Sequence, residues 1–193
     1  MPLTQLDDTA ALIVIDLQKG IVGLPTVHPG AEVVGRTAKL ARAFRECGLP
    51  VVLVNVTGGA PGRTEAGASL PARPPDWAEL VPELDPQPGD HRISKQRWGA
   101  FSGTGLDEHL RRKGVTQVFI AGIATSIGVE STARSAYEGG YHVVLVVDAM
   151  TDRDAEAHRR SIEKIFPRLG ETATTDEVLK RLEERSAAPG SRE

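Results

Sequence analysis

Ala10-Ala11-Leu12-Ile13-Val14-Ile15-Asp16 is the stretch on which the fold turns: six apolar residues without interruption, closed by a carboxylate. An apolar run of this length with no polar alternation reads as a strand buried on both faces, which is the habit of parallel sheets. Residues 50–56, 117–122 and 142–147 repeat the same mixture of Val, Ile and Leu. Between these runs the periodicity changes to that of helices. Val33, Thr37, Leu40, Ala41, Phe44 and Cys47 share one helical face, and Gly48 and Pro50 supply a stop.

The spacing of Thr104 and Asp107 predicts a capping box opening a helix to Lys113, with Leu106 and Leu110 inward. Residues 127–138 read as a further helix closed by Gly139-Gly140. Residues 154–166 read as another, ended by Pro167, and Thr174 with Glu177 caps a last helix that ends near Arg185. A minor strand over 171–173 completes one edge. Parallel strands need crossover connections, and these helices supply them. The expected fold is therefore a three-layer α/β domain over residues 1–185: a doubly wound, mainly parallel sheet with helices on both faces. Two regions break the rhythm. Residues 57–92 are rich in Pro and Gly, with a short helix expected at 77–80, and the polar stretch 186–193 reads as a disordered tail.

The totals exclude several classes of function. A chain of 193 residues with 40% hydrophobic and 25% charged residues and a net charge of −3 is neither disordered nor basic, so nucleic acid is not an expected partner. Cys47 is the only cysteine, which rules out an intramolecular disulfide and suits a reducing, cytoplasmic setting. No apolar stretch approaches the roughly 18 residues of a membrane span, and no leader is recognisable at the start.

Ligands of open parallel sheets bind beyond the carboxyl ends of the strands. Three segments there carry reactive groups. Asp16, on the end of an apolar strand, is either a partly desolvated acid or base or a residue that holds a turn. Lys95, in Lys95-Gln96-Arg97-Trp98-Gly99-Ala100-Phe101, stands among cations and aromatics that suit a pocket wall or a solvated edge. Residues 121–130 pass from strand to helix through small residues, which is either a tight packing turn or a place where free amides hold an oxyanion. The five histidines form no close pairs at metal-ligand spacing. His109 and His142 read as surface positions, and His28 as structural or at the mouth of the site.

Taken in order, Asp16-Leu17-Gln18, Lys95 to Phe101, and Gly122-Ile123-Ala124-Thr125-Ser126-Ile127-Gly128-Val129-Glu130 resemble the isochorismatase-like hydrolase family. The ending Phe166-Pro167-Arg168-Leu169-Gly170-Glu171 is similar to that family as well. The resemblance implies a small-molecule substrate and a catalytic Asp and Lys at Asp16 and Lys95. Substrate contacts are implied at Gln18, Arg97, Trp98, Phe101, Ala124, Thr125, Ser126 and Gly128. It also implies a non-proline cis peptide between Ile123 and Ala124 and a homo-oligomer, a dimer or larger. No metal and no cofactor are expected, because the metal ligands of the family's nicotinamidases have no counterpart here.

The family's amide-cleaving members use a cysteine where this chain has Gly128, whereas its isochorismatases resemble this chain in having glycine there. The resemblance thus implies non-covalent vinyl-ether hydrolysis with Asp16 as proton donor. Amide or ester hydrolysis by water, Ser126 or Thr125, and a non-catalytic binding role, stay open as alternatives. A Lys near Asp16 would lower the carboxyl's pKa whereas an acid catalyst needs it raised, so burial must dominate.

Overall fold

The computed structural model describes residues 1–64 and 73–187. Six parallel strands form one sheet in the order β3-β2-β1-β4-β5-β6: β1 Ala10–Ile15, β2 Val51–Val56, β3 His91–Lys95, β4 Gln117–Ile123, β5 His142–Thr151 and β6 Glu171–Ala173. β1 lies in the middle, paired with β2 (Val14 opposite Leu53) and with β4 (Val14 opposite Ala121). All six of its residues are buried, as the unbroken apolar run requires.

Alternate side chains feed two separate cores. Leu12 and Val14 pack with Leu40 and Phe44 of α2 (Gly30–Glu46) and with Val178 and Leu182 of α7 (Thr175–Ala187). Ile13 and Ile15 pack on the other face with Leu106 and Leu110 of α3 (Leu106–Arg112) and Ala133 of α4 (Glu130–Glu138). Short helices α1 (Lys19–Val22), α5 (Ala155–Arg160) and α6 (Phe166–Leu169) complete the set. Among the described residues no helix is long and apolar enough to cross a membrane.

Several boundaries differ from the sequence expectation for identifiable reasons. β3 falls where only a loop and a reactive segment were expected. It is an edge strand in which Ile93 and Lys95 are buried but Arg92 and Ser94 are exposed, so it carries no apolar run. Residues 77–80 are not helical. Trp77 closes a turn on Pro74, and the short helix of this region is a 3₁₀ turn at Pro82–Leu84. β5 continues through Asp148 to Thr151, because an irregularity lets Ile120 face Leu145 while Gly122 faces Met150.

The helix expected over 127–138 begins with a π-helical turn, Thr125–Val129, before α4. The helix expected over 154–166 is α5, a second π-helical turn at Ser161–Ile165, and then α6. Pro167 does not end it: standing in the first turn of α6, the proline needs no N–H there. At α3 the capping box is half made. Thr104 Oγ1 accepts from Leu106 N at 3.3 Å, but Asp107 turns to Arg111 and Tyr141. At α7 it is complete, with Glu177 Oε2 accepting from Thr174 N and Thr174 Oγ1 accepting from Glu177 N. α7 takes in Ser186 and Ala187, and the rest of the expected tail, 188–193, lies outside the described residues. His142 is exposed, whereas His109 is half-buried and stacked on His91 at 3.6 Å.

Candidate active site

β1 delivers Asp16 to the carboxyl edge of the sheet, where the backbone turns sharply. Asp16 N still donates to Val54 O at 2.9 Å, but its φ is +53°, a left-handed conformation that Asp tolerates better than most residues. Next to it, one residue before the end of β4, stands Gly122, whose φ is +122° and whose missing Cβ would stand 2.1 Å from Ile15 O. Only glycine allows the two strand ends to approach this closely. The peptide that follows, Ile123–Ala124, is cis, as the family resemblance implied.

Lys95, from the end of β3, crosses the ends of β2 and β1 to reach Asp16. Its Nζ donates to Asp16 Oδ2 at 2.7 Å and to Arg97 O at 3.1 Å, and both ionisable side chains are buried. Asp16 Oδ1 is buried and has no hydrogen-bond partner among the described residues. Burial raises the Asp16 carboxyl from 3.8 to about 6, and the charge and hydrogen bond of Lys95 offset only part of that. The opposition between Lys95 and desolvation is thus decided for desolvation.

Position 128 lies against this carboxyl. A Cβ built on Gly128 would be 3.4 Å from Asp16 Oδ2, 2.9 Å from Ile15 Cγ2 and 3.6 Å from Trp98 O. A side chain here would touch the acid directly and press on Ile15; glycine avoids both. The amides of this π-turn are partly committed: Ser126 N donates to Asp152 Oδ2 at 2.7 Å, and Ile127 N and Val129 N donate to Ala124 O.

The other expected contacts divide. Gln18 is fully buried and its amide is consumed by structure: Nε2 donates to Val56 O and Trp77 O at 3.1 Å each, and Oε1 accepts from Val56 N. It ties the 73–80 strap to the end of β2 and has no donor left for substrate. Arg97 is exposed and meets the site through its carbonyl, which holds Lys95. Trp98 presents its carbonyl to position 128 while its ring is 67% exposed. Phe101, half-buried, packs with Tyr141 at 5.9 Å against the edge of the core that holds Leu106 and Ala133. Thr125 is fully buried with its hydroxyl 2.8 Å from His158 Nδ1, and Ser126 is half-buried.

Two residues of this neighbourhood escaped the sequence reading. Asp152, just past β5, is buried and accepts from the amides of Ser126, Arg153 and Asp154. Its place at a strand's carboxyl end is the same signal that singled out Asp16. His158 carries no such signal, being one polar residue on a short helix. Two clefts of about 540 and 550 Å³ lie elsewhere, between α2 and α7 and beside β2 and β3, and neither contains Asp16 or Lys95. Among the described residues no group of three or more His, Cys, Asp or Glu side chains is placed to hold a metal ion.

A buried Asp–Lys pair at the carboxyl edge of a doubly wound sheet, where open parallel sheets take their ligands, marks this as the candidate active site. Residues 10–177 match the isochorismatase domain, and the chain belongs to the isochorismatase family. It is 43% identical over 179 residues to the isochorismatase family protein YwoC of Bacillus subtilis (strain 168), covering 89% of this chain and 93% of that one. The solved structure of an isochorismatase family protein from Burkholderia thailandensis superposes with a TM-score of 0.89 at 45% identity, covering 93% of this chain and 98% of the other. The ureidoacrylate amidohydrolase RutB of Variovorax paradoxus (strain S110) is 30% identical over 221 residues, covering 98% of this chain and 86% of its own. The protein is a hydrolase, with glycine at position 128.

Proposed function

We propose that this hydrolase cleaves the vinyl ether of isochorismate, or of a similar small carboxylated substrate, without a covalent intermediate. The observation that carries this reading is the buried Asp16 carboxyl, raised to about 6, beside a position 128 that offers no nucleophile. In the neutral acid, Oδ1 holds the proton, since Oδ2 already accepts from Lys95. The proton passes to the enol-ether carbon, water adds to the resulting oxocarbenium, and the hemiketal collapses to pyruvate and an alcohol.

Lys95 acts twice. An ammonium group has three donors and two are committed, to Asp16 and Arg97, so the third serves the substrate carboxylate or the water. As Asp16 gives up its proton, its attraction to Lys95 grows, which stabilises the transition state more than the ground state. The amides of Thr125 and Gly128 hold substrate oxygens, and the exposed Arg97 supplies a cation at the rim. The same reading places the enzyme in the cytoplasm, in keeping with its lone cysteine, as a homo-oligomer in which the exposed Trp98 and Ile127 meet a second copy.

Hydrolysis of an amide by Asp16-activated water is the second reading, favoured by the identity with an amidohydrolase. Pyruvate release from isochorismate, followed with lactate dehydrogenase, separates the two. Turnover that falls by about 10²–10⁴ in Asp16→Asn supports proton donation. Pyruvate released no faster than in buffer, alongside turnover of ureido or amide substrates, sinks it.

A further inference from the structure

Residues 152–161 grip the turn that carries Gly128 at three points. Asp152 Oδ2 accepts from Ser126 N at 2.7 Å, His158 Nδ1 lies 2.8 Å from Thr125 Oγ1, and Ser161 Oγ donates to Glu130 Oε2 at 2.6 Å. Two of these anchors are carboxylates, one accepting from a backbone amide and the other from a hydroxyl. The third rests on an imidazole.

We propose that His158 is a positioning residue for the active site: in the tautomer with the ring proton on Nε2, Nδ1 accepts the Thr125 hydroxyl and so sets where Gly128 stands against Asp16. The inference rests on the reading of that turn as a wall of the site. Thr125 is fully buried, so its hydroxyl has no solvent to turn to, and a lost partner costs the turn a buried hydrogen bond. A protonated ring has no acceptor nitrogen. The Thr125 bond must then reverse, stranding the hydroxyl proton, or break as the cation seeks water.

The groups around His158 divide in their effect on its protonation. His28 meets it edge-on at 5.2 Å and Asp152 approaches from the end of β5. On its own helix Asp154 is engaged in capping the amides of Glu156 and Ala157, and Arg159 is exposed. From α4, Glu130 is held by Ser161 and Arg134. Burial first, and then His28, hold the ring below its ordinary 6.5, with Asp152 opposing.

The test pairs His158→Leu with His158→Asn, because an asparagine places a polar atom near the position of Nδ1 but does not titrate. His158→Leu is expected to lower kcat/KM by about tenfold or more, the penalty of a displaced catalytic wall. His158→Asn is expected to recover activity to within about threefold of the parent and to lose the acid-side fall of the kcat/KM profile. The alkaline fall, which belongs to Asp16, stays.

An arm without substrate keeps the inference separate from the choice of reaction. In Asp16→Asn, which removes the carboxyl's own titration, the amide resonances of Ser126 and Gly128 should shift with one midpoint below 6.5, and adding His158→Asn should abolish that shift. Amides that titrate equally with and without His158 overturn the proposal, as does an acid limb that persists in His158→Asn. Failure to hydrolyse isochorismate overturns the proposed reaction alone.

Discussion

Replacing Asp16 with Asn turns the burial of one carboxyl into a measurable slope of stability against pH. The folded-state carboxyl titrates at about 6 and its ordinary value is 3.8. Between those values the folded chain keeps a proton that the unfolded chain has released, so stability falls as pH rises through the window. A difference of about two units corresponds to about 3 kcal/mol, present in full below the window and lost above it. The Asn variant has no such proton. Urea unfolding of both proteins should therefore show the wild type gaining on the variant by about 3 kcal/mol between about pH 7 and about pH 4, with all other carboxylates cancelling in the difference. A constant difference, or one that favours wild type as pH rises, would mean that the Lys95 pair is ionised throughout. Asp16 would then not be a proton donor near neutrality.

Gly128→Ala should lower stability by about 1–3 kcal/mol, since the new Cβ at 2.9 Å from Ile15 Cγ2 forces a shift in a packed strand end. Because the same Cβ touches Asp16 Oδ2 at 3.4 Å, kcat should fall as well, and thermal melts with kinetics check both. The alkaline limb of kcat should lie at higher pH than that of kcat/KM, which reports the free enzyme at about 6, because a bound carboxylate substrate opposes ionisation of Asp16. Coincident limbs would show that the substrate brings no negative charge to the acid.

Strands buried on both faces write themselves into the sequence, and for that reason β1, β2, β4, β5 and the helices between them were legible. β3 was not: as an edge strand it buries only every second side chain, and Arg92 and Ser94 interrupt any apolar run. The site was legible only in part. Asp16 stood out by position, but its pairing with Lys95 spans 79 residues of sequence and came from the family resemblance, not from spacing. Gln18 and Phe101 are polar and aromatic in the right segments, yet one is spent on the β2 end and the strap and the other packs with Tyr141 against the core. Which backbone groups lack partners, and which layer an aromatic enters, are properties of the assembled fold. His158 depends on both.

The acid at Asp16 is kept by exclusion rather than by its partner. Lys95 at 2.7 Å pulls toward the charged form, and in an open, hydrated cleft it would win. Here the strand ends close in on the carboxyl through Gly122. The strap anchored by Gln18 covers the neighbouring end of β2, and Oδ1 is left without a donor to stabilise a negative charge. A thiol at position 128 would convert this carboxyl into a base for a covalent step. In the proposed reaction glycine leaves the acid with no thiol to activate, and an anionic substrate arriving beside it would raise the acid further, so that the substrate itself would help to bring the catalyst into its working protonation state. On that proposal Lys95 both opposes and serves the reaction: it draws the carboxyl toward the charged form beforehand and would stabilise the carboxylate at the moment the proton leaves.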